Sequence, residues 1–459
     1  MHRLTLETLT LAVLMTFGFL YALLTPPFAN PDESSHFYRV HAIATGDLFP
    51  STDENGPYQN IPQSLAAYTA RVQASIGKPH TKYTYFQWYV DSHERMPSSE
   101  TSVPAKFSAI RMTPIQYIPH VIGYWAGSFL YLPFPGLYNW TARIFMARLG
   151  GLAFAAASAF WLVRRLPSLR YAMSATILLP MPVMLAAAVT ADTVLLTACL
   201  VFAATLVRIH LNGCRDDVDT YAILGAAFLM GNIKCVYAPL LMSLVLLKAR
   251  LPARDFAVLA VQACLMAIAG LALSATLFSP VATVHQAVGE QFQYLLHRPG
   301  EILKLPVRSL LVYREYYANS MLMNFGSLDT STPFTVIVLL AWLYPAIVLA
   351  DCCWGSGLRT TFSSTAAIAI GIVSTVYAAF LLTYCHWTTI THGVGWKYVE
   401  GMQGRYFLPL LPFAAIAACY FRLGEAPVPA TLKACGIHGL AVIHVVCLLT
   451  LLGRFWIPS

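Results

Sequence analysis

Long apolar runs alternate with short polar stretches along most of this sequence. The clearest runs cover residues 6–26, 171–189, 256–278 and 366–385, and each approaches or exceeds the ~20 residues that a helix needs to cross a bilayer. The first run follows only His2 and Arg3, and no small-residue cleavage site precedes a soluble domain. We therefore expect it to remain as the first transmembrane helix. The pattern predicts an all-α polytopic membrane protein in which residues 1–459 form a single domain.

The distribution of basic residues fits eleven transmembrane helices. Cytoplasmic loops of membrane proteins are enriched in Lys and Arg, so we place the N-terminus in the cytoplasm. After the first helix, the predicted spans cover 141–163, 170–189, 193–210, 220–233, 235–249, 256–278, 333–350, 363–385, 405–421 and 435–452. Each predicted cytoplasmic loop then contains a basic residue. The net charge of +8 is explained largely by this topology, and a nucleic-acid partner is not expected.

Residues 114–132 are apolar but are not expected to form a transmembrane helix. The segment contains Pro119, His120 and many aromatic residues. Counting it as a span would move the basic cluster at 164–170 to the outer side, against the charge rule. We therefore predict that this segment forms a helix lying in the outer membrane interface.

Three polar regions face outside in this topology. They cover residues 28–140, 279–332 and 386–404. The first is too long for a simple connection and is expected to fold as a small cap. The second is amphipathic and is expected to follow the membrane surface. Only 11% of the chain is charged and 57% is hydrophobic, whereas ordinary soluble domains are about 25% charged.

The densest polar cluster follows the first span directly. Pro31 suits the first position of a helix and Asn30 suits its N-cap. On such a helix Asp32 and Glu33 lie four and three residues before His36, so the three side chains share a face. A carboxylate beside a histidine can act as a general base or contribute to a divalent-metal site. The alternative is that both carboxylates only favour the positive end of the helix.

Three further charged residues lie at predicted outer ends of spans. Asp192 occupies a tight hairpin, where a carboxylate is costly unless it is paired or hydrated, although helix capping explains it equally well. Lys234 either reaches the membrane surface or binds an anionic head group. Arg405 follows Gly404 at the mouth of an apolar span, and guanidinium groups bind phosphate oxygens bidentately, although Arg also anchors helix ends. The absence of P-loop, GxSxG and HExxH motifs argues against an ATPase, a serine hydrolase and a zincin protease.

Taken in order, the motifs of this chain resemble those of a bacterial family of polytopic membrane proteins of unknown function. The matching segments are Pro31-Asp32-Glu33 with His36, Thr113-Pro114 with Tyr117 and Pro119, Met181-Pro182 with Asp192, Lys234 with Tyr237, Gln291 with His297 and Pro299, Gly326-Ser327-Leu328-Asp329, and Gly401 to Pro409. Two positions depart from the family pattern. His120 replaces a usual Gln, and Arg298 is inserted between His297 and Pro299.

That family is in turn similar to the GT-C glycosyltransferase superfamily. Its members have a large first outer loop with an acidic motif, interfacial helices and a second acidic site, and they use polyprenyl-phosphate sugars as donors. The resemblance implies an inverting glycosyltransferase of the bacterial inner membrane, with its active site facing the periplasm. The implied acceptor is an envelope glycan or lipid such as O-antigen or lipopolysaccharide. This is an analogy at the level of the fold, and a transporter or flippase of a lipid-linked saccharide is the alternative.

The resemblance also implies roles for individual residues. Asp32 is expected to be the general base and Glu33 the second catalytic carboxylate, with His36 and Asp192 supporting them. The donor phosphate is expected to bind residues of the later spans, which are Lys234, Gln403, Arg405 and Tyr406. No resident cofactor is expected. An Mg²⁺ or Mn²⁺ ion at the 32–36 face is the alternative, although His is an unusual ligand for such hard ions.

Overall fold

The computed structural model describes residues 5–54, 56–76, 81–97, 101–130, 139–278, 286–355 and 357–457, and these residues are mostly helical. The helices are α1 (Leu6–Leu24), α2 (Glu33–Ala44), α3 (Gln63–Ile76), α4 (Tyr85–His93), α5 (Ile118–Leu130), α6 (Trp140–Arg165), α7 (Arg170–Ile177), α8 (Pro180–Ala186), α9 (Asp192–Asn212), α10 (Asp217–Ile233), α11 (Ala253–Leu273), α12 (Gln286–His297), α13 (Pro299–Val312), α14 (Arg314–Leu322), α15 (Phe334–Cys352), α16 (Phe362–Thr383), α17 (Thr389–His392), α18 (Leu411–Ala418) and α19 (Ala430–Phe455). Within the described ranges, 3₁₀ helices cover Ser108–Arg111, Pro114–Tyr117, Cys235–Ala249 and Gly404–Leu410. In the same ranges, π-helical turns cover Ser274–Phe278 and Tyr384–Thr388.

Seven helices of the described chain are long and apolar enough to cross a membrane. They are α1, α6, α9, α15, α19, α11 extended to Phe278 and α16 extended to His392. All seven coincide with predicted spans. The other four predicted spans form shorter or interrupted segments, namely α7 with α8, α10, the 3₁₀ helix Cys235–Ala249, and the 3₁₀ helix Gly404–Leu410 with α18. Seven crossings are therefore supported by length and composition, and eleven crossings remain a prediction.

The predicted continuous span at 170–189 is instead broken. Pro180 occupies the start of α8, where its fixed φ and missing N–H end the preceding helix. The break frees the carbonyl of Leu178, which accepts a hydrogen bond of 3.1 Å from His444 Nε2. His444 Nδ1 in turn lies 2.7 Å from the Tyr21 hydroxyl. A buried polar pair thus satisfies the backbone group that the prolines leave unpaired.

Successive membrane-spanning segments run between two ends of the molecule. One end, which we call the basic end, collects basic residues of the predicted cytoplasmic loops. Ion pairs at the basic end join Arg165 to Asp216 at 3.2 Å, Arg170 to Glu7 at 2.5 Å, Arg208 to Asp216 at 3.0 Å, and Lys433 to Asp351 at 2.7 Å. The opposite end carries the three long polar loops, and we call it the loop end. The assignment of the loop end to the outer side remains a prediction.

The loops of the loop end contain short strands that the all-α prediction did not include. In the first loop, β1 (Ser51–Asp53), β2 (Gly56–Pro62) and β3 (Ser102–Ala105) form an antiparallel sheet in the order β1-β2-β3. In the second loop, β4 (Asn324–Phe325) pairs with β5 (Thr330–Ser331). Helices α12, α13 and α14 also belong to the second loop.

The predicted interfacial segment is a 3₁₀ turn, Pro114–Tyr117, followed by α5, and its residues 131–132 lie outside the described part of the chain. Helix α5 packs antiparallel to the first half of α6. Gly123 and Gly150 permit this contact, because a Cβ at Gly123 would meet the carbonyl oxygen of Met146 and one at Gly150 would meet that of Pro119. With 13 residues, α5 is too short to span a bilayer alone. Its location in the membrane interface remains a prediction.

Candidate active site

A cavity of about 1080 Å³ lies at the loop end of the bundle. Its walls come from the first loop, the start of α9, the end of α10, the π turns that extend α11 and α16, and the segment around 401–406. Seven of the eight predicted site residues line it, namely Asp32, His36, Asp192, Lys234, Gln403, Arg405 and Tyr406. The fold therefore brings together polar residues that the sequence separates by up to several hundred positions.

Asp32 faces the cavity because of the backbone conformation just before α2. It is the N-cap of α2, with φ 59° in the left-handed region, and its side chain does not cap the helix. Its Oδ2 instead lies 3.6 Å from Arg405 Nη2, and the side chain is 54% exposed. The predicted helix start, with Asn30 as N-cap and Pro31 at the first position, is wrong, since α2 begins at Glu33. Asp and Asn tolerate this left-handed conformation better than most residues.

Glu33 points away from the cavity. Its buried carboxylate accepts hydrogen bonds from Arg148 Nε at 2.8 Å, Arg148 Nη2 at 2.7 Å and the Val189 amide at 3.0 Å. Arg148 also donates to three carbonyl oxygens at and just beyond the end of α1. The pair therefore joins α1, α6 and the α8–α9 connection. Arg148 was not among the residues predicted from the sequence, although a charged residue inside the predicted span 141–163 is itself a signal.

Two anions and two cations alternate along one wall of the cavity. Arg405 lies between Asp32 and Asp192, with its Nε 3.4 Å from Asp192 Oδ2. Lys234 Nζ donates to Asp192 Oδ1 at 2.7 Å and lies 4.1 Å from the centre of the Tyr406 ring. The Arg405 side chain is only 6% exposed, and its Nε makes no hydrogen bond to any described residue. This wall retains hydrogen-bonding capacity for an anionic ligand.

The segment that carries Arg405 is fixed by the second loop. The amide of Gly404 donates to Ser320 Oγ at 2.8 Å. A Cβ at Gly404 would meet the carbonyl oxygen of Tyr317, so the backbone approach requires glycine. On the other side, the Tyr237 hydroxyl donates to the Tyr406 carbonyl at 2.8 Å. These contacts fix the backbone on both sides of Arg405.

His36 is buried between the first loop and the charged wall. Its Nδ1 lies 2.6 Å from the Tyr117 hydroxyl. Burial is the largest influence on the ring and lowers the pKa of His36 to about 3. His36 is therefore neutral near pH 7. A base this weak is poorly suited to accept a proton in catalysis, and its contacts instead orient the residues around it.

Several cavity-lining residues were not predicted from the sequence. They include Lys106, Arg111, Gln116, Asn232, His386 and Trp387. Asn232 accepts a hydrogen bond of 2.5 Å from Thr113 Oγ1 and donates one of 3.0 Å to the Gly270 carbonyl. It thereby joins the first loop to α10 and α11. A polar side chain within the predicted span 220–233 was the available signal.

The predicted face of Asp32, Glu33 and His36 does not form in the structure. Their side chains are directed to different partners, which are Arg405, Arg148 and Tyr117 respectively. Among the residues that the structure describes, no three His, Cys, Asp or Glu side chains are grouped closely enough to share a metal ion. The charged wall of the cavity therefore combines the exposed carboxylate of Asp32 with the cations of Arg405 and Lys234.

The fold and the site together define a polytopic helical membrane protein with a charged cavity at the loop end. The chain belongs to the family described as Predicted membrane protein (DUF2142), whose model matches residues 15–414. A comparison with curated proteins gives no match. The match confirms the predicted membership of a membrane-protein family and includes all eight predicted site residues. The similarity to GT-C glycosyltransferases remains a prediction.

Proposed function

We propose that this protein is an integral-membrane glycosyltransferase that moves a sugar from a polyprenyl-phosphate donor to an acceptor of the bacterial cell envelope. The observation that carries the proposal is the cavity wall on which the half-exposed carboxylate of Asp32 adjoins the cations of Arg405 and Lys234. This wall lies at the end of the long apolar helices. A lipid phosphate anchored in the bilayer would present its head group at that level.

In the proposed reaction, an acceptor hydroxyl oxygen attacks the anomeric carbon of the donor sugar. The bond between that carbon and the phosphate oxygen breaks, and the lipid phosphate leaves with the electron pair. Asp32 takes the proton of the hydroxyl group. A single displacement of this kind inverts the anomeric centre. The donor lipid and the acceptor supply all the atoms of the reaction, and no redox step is involved.

Stabilisation of the leaving phosphate falls to Arg405 and Lys234. Their charges are balanced by Asp32 and Asp192 at 2.7 to 3.6 Å. A bound phosphate would compete for the same donors. Preorganised cations of this kind stabilise charge that develops in the transition state, and they do so more strongly in a site that excludes water.

Their different contacts support different roles for the three acidic residues. Asp32 is the proposed base because it reaches the cavity and is not saturated with hydrogen bonds. Glu33 is assigned a structural role, since Arg148 and the Val189 amide occupy its carboxylate. Asp192 holds Lys234 and Arg405 in place.

A transporter or flippase of a lipid-linked saccharide is the second candidate. The observation that favours it is the set of interrupted helices beside the cavity, the 3₁₀ helices Cys235–Ala249 and Gly404–Leu410. Discontinuous helices of this type form binding sites in many transporters. A transporter would move the lipid without breaking the bond between sugar and phosphate.

Sugar transfer by the purified protein tests the proposal. Polyprenyl-phosphate sugars would be supplied as donors together with an envelope glycolipid fraction as acceptor. Asp32→Asn preserves size and hydrogen bonding but removes basicity, so transfer should fall about 10²–10⁴-fold with donor binding nearly unchanged. The matched control is Asp47→Asn, a carboxylate of the same loop that does not line the cavity. Near wild-type transfer by Asp32→Asn would refute the assignment, and lipid movement without transfer would favour the flippase.

A further inference from the structure

Two buried amide oxygens in the cavity have no hydrogen-bond partner among the described residues. They are Oε1 of Gln116 and Oε1 of Gln403. Both side chains line the cavity, and Gln116 is only 1% exposed. An unpaired buried acceptor costs about 1–3 kcal/mol. Their location in the cavity indicates that a bound ligand supplies the missing donors.

The two oxygen atoms themselves need a hydrogen-bond donor, which an ionised phosphate does not supply. A carboxamide oxygen accepts hydrogen bonds, and the oxygens of an ionised phosphate also accept them. The cationic donors suited to a phosphate lie nearby on Arg405 and Lys234. The two amide oxygens require ligand O–H or N–H groups. A sugar ring presents several hydroxyl donors close to its phosphate.

The backbone positions of the two glutamines fit a subsite next to the phosphate. Gln403 directly precedes Gly404 and Arg405 in the segment that α14 fixes. Gln116 lies in the 3₁₀ helix Pro114–Tyr117 and precedes Tyr117, which contacts His36. Tyr117 is fully buried and its hydroxyl also donates to Met112 Sδ at 3.0 Å. Both glutamines therefore lie on backbone segments that packing holds in place.

We propose that Gln116 and Gln403 form the sugar subsite of the cavity and accept hydrogen bonds from hydroxyl groups of the transferred sugar. The proposal rests on the glycosyltransferase function proposed above and deepens it. In this proposal Gln403, which was predicted to bind the donor phosphate, contacts the sugar instead. Gln116, which was not a predicted site residue, becomes a residue that determines sugar specificity.

The test compares binding of bare undecaprenyl phosphate with binding of the same lipid carrying different monosaccharides. For wild type we expect at least one sugar to improve affinity about tenfold, which is the value of roughly one net hydrogen bond. Gln116→Leu and Gln403→Leu should each remove most of that improvement. Affinity for bare undecaprenyl phosphate should stay unchanged in both variants, which also shows that they are folded.

The matched control is Gln291→Leu, which alters a buried glutamine that does not line the cavity and should leave both affinities unchanged. An equal loss of affinity for the bare and the glycosylated lipid would overturn the proposal, because it indicates a contact to phosphate or to the fold. An unchanged preference for the glycosylated lipid would also overturn it, while leaving the proposed function intact. If wild type binds none of the lipids, the proposed function fails and the subsite with it.

Discussion

Asp32 and Glu33 are neighbours in the sequence and lie in opposite environments in the structure. The Glu33 side chain is completely buried against Arg148, and hydrogen bonds from Arg148, the Asn30 amide group and the Val189 backbone amide saturate its carboxylate. The Asp32 side chain is 54% exposed and has one cation at 3.6 Å. Residue type alone does not distinguish the two. Saturation by partners assigns Glu33 to the fold, and residual exposure leaves Asp32 available to a ligand.

The two ion pairs also differ in what their loss would cost. Removing one partner of a buried pair leaves an uncompensated charge and costs about 3–5 kcal/mol. A partly exposed pair contributes only about 0–1 kcal/mol. The Asp32–Arg405 contact can therefore be exchanged for a contact to a ligand with little loss of stability. The Glu33–Arg148 contact cannot be exchanged in this way, because its loss would leave a buried charge uncompensated.

The largest effect on stability is expected from Arg148→Met. This change leaves the buried Glu33 carboxylate without its cation, so the free energy of unfolding should fall by about 3–5 kcal/mol. Denaturant unfolding in detergent would measure it. The matched control is Lys106→Met, which breaks the exposed pair with Asp53 and should cost less than about 1 kcal/mol. Equal stability of the two variants would contradict the distinction between the buried and the exposed pair.

Substitutions of Arg405 test whether the partner of Asp32 in the cavity binds the donor phosphate. Arg405→Ala removes a charge-assisted contact to phosphate, so donor affinity and turnover should both fall about 10–100-fold. Arg405→Lys should restore only part of the loss because the bidentate fork is absent. Arg314→Ala is the control, since Arg314 is 70% exposed outside the cavity. Wild-type donor affinity of Arg405→Ala would exclude Arg405 from the phosphate site.

The sequence predicts the membrane segments and the charged wall of the cavity for one physical reason. Charged residues are tolerated at the ends of apolar helices, so the boundaries of the runs mark both the topology and candidate sites such as Asp192 and Arg405. The spacing of residues along the sequence does not show which distant residues contact each other. Glu33 and Arg148 are 115 residues apart, and their contact depends on how α1 packs against α6.

Two local predictions failed where backbone conformation decided the outcome. The shared face of Asp32, Glu33 and His36 assumed a helix that begins at Pro31. Asp32, in the left-handed conformation, is instead the N-cap, so the helix begins two positions later, at Glu33. The prediction of a continuous span at 170–189 rested on hydrophobicity and did not take Pro180 into account. Pro180 begins a separate helix. Prolines in apolar runs mark breaks that hydropathy averages out.

The burial of His36, on the same helix as Glu33, predicts a pH dependence of stability. The pKa of His36 is about 3 in the folded protein, and the ordinary value is 6.5. The unfolded chain binds the proton more readily, so this contribution to stability is complete above pH 6.5 and is lost as pH falls from 6.5 toward 3. The slope is at most roughly 1.4 kcal/mol per pH unit. Asp192, Lys234, Arg405 and His120 are the charged or titratable groups that influence the ring.

Thermal unfolding of wild type and His36→Gln between pH 7 and pH 5 would measure this contribution. Glutamine stays neutral throughout the range and can still bond to Tyr117. The unfolding temperature of the variant should therefore depend less on pH than that of wild type. His41, whose pKa burial lowers to about 4, contributes equally to both proteins and cancels in the difference. Identical pH profiles would show that His36 is not buried in a neutral form.

The smallest effect is expected from removal of divalent metal ions. Asp32, Glu33 and His36 are the residues that the sequence suggests as ligands, and their side chains turn toward Arg405, Arg148 and Tyr117. A hard cation such as Mg²⁺ prefers several oxygen ligands in near-octahedral geometry, and the guanidinium groups of Arg405 and Arg148 already neutralise both carboxylates. We therefore expect sugar transfer to persist after treatment with a chelator. Transfer that stops and is restored by one particular divalent ion would contradict this and would make Asp32 a metal ligand, with the base to be sought at Asp192.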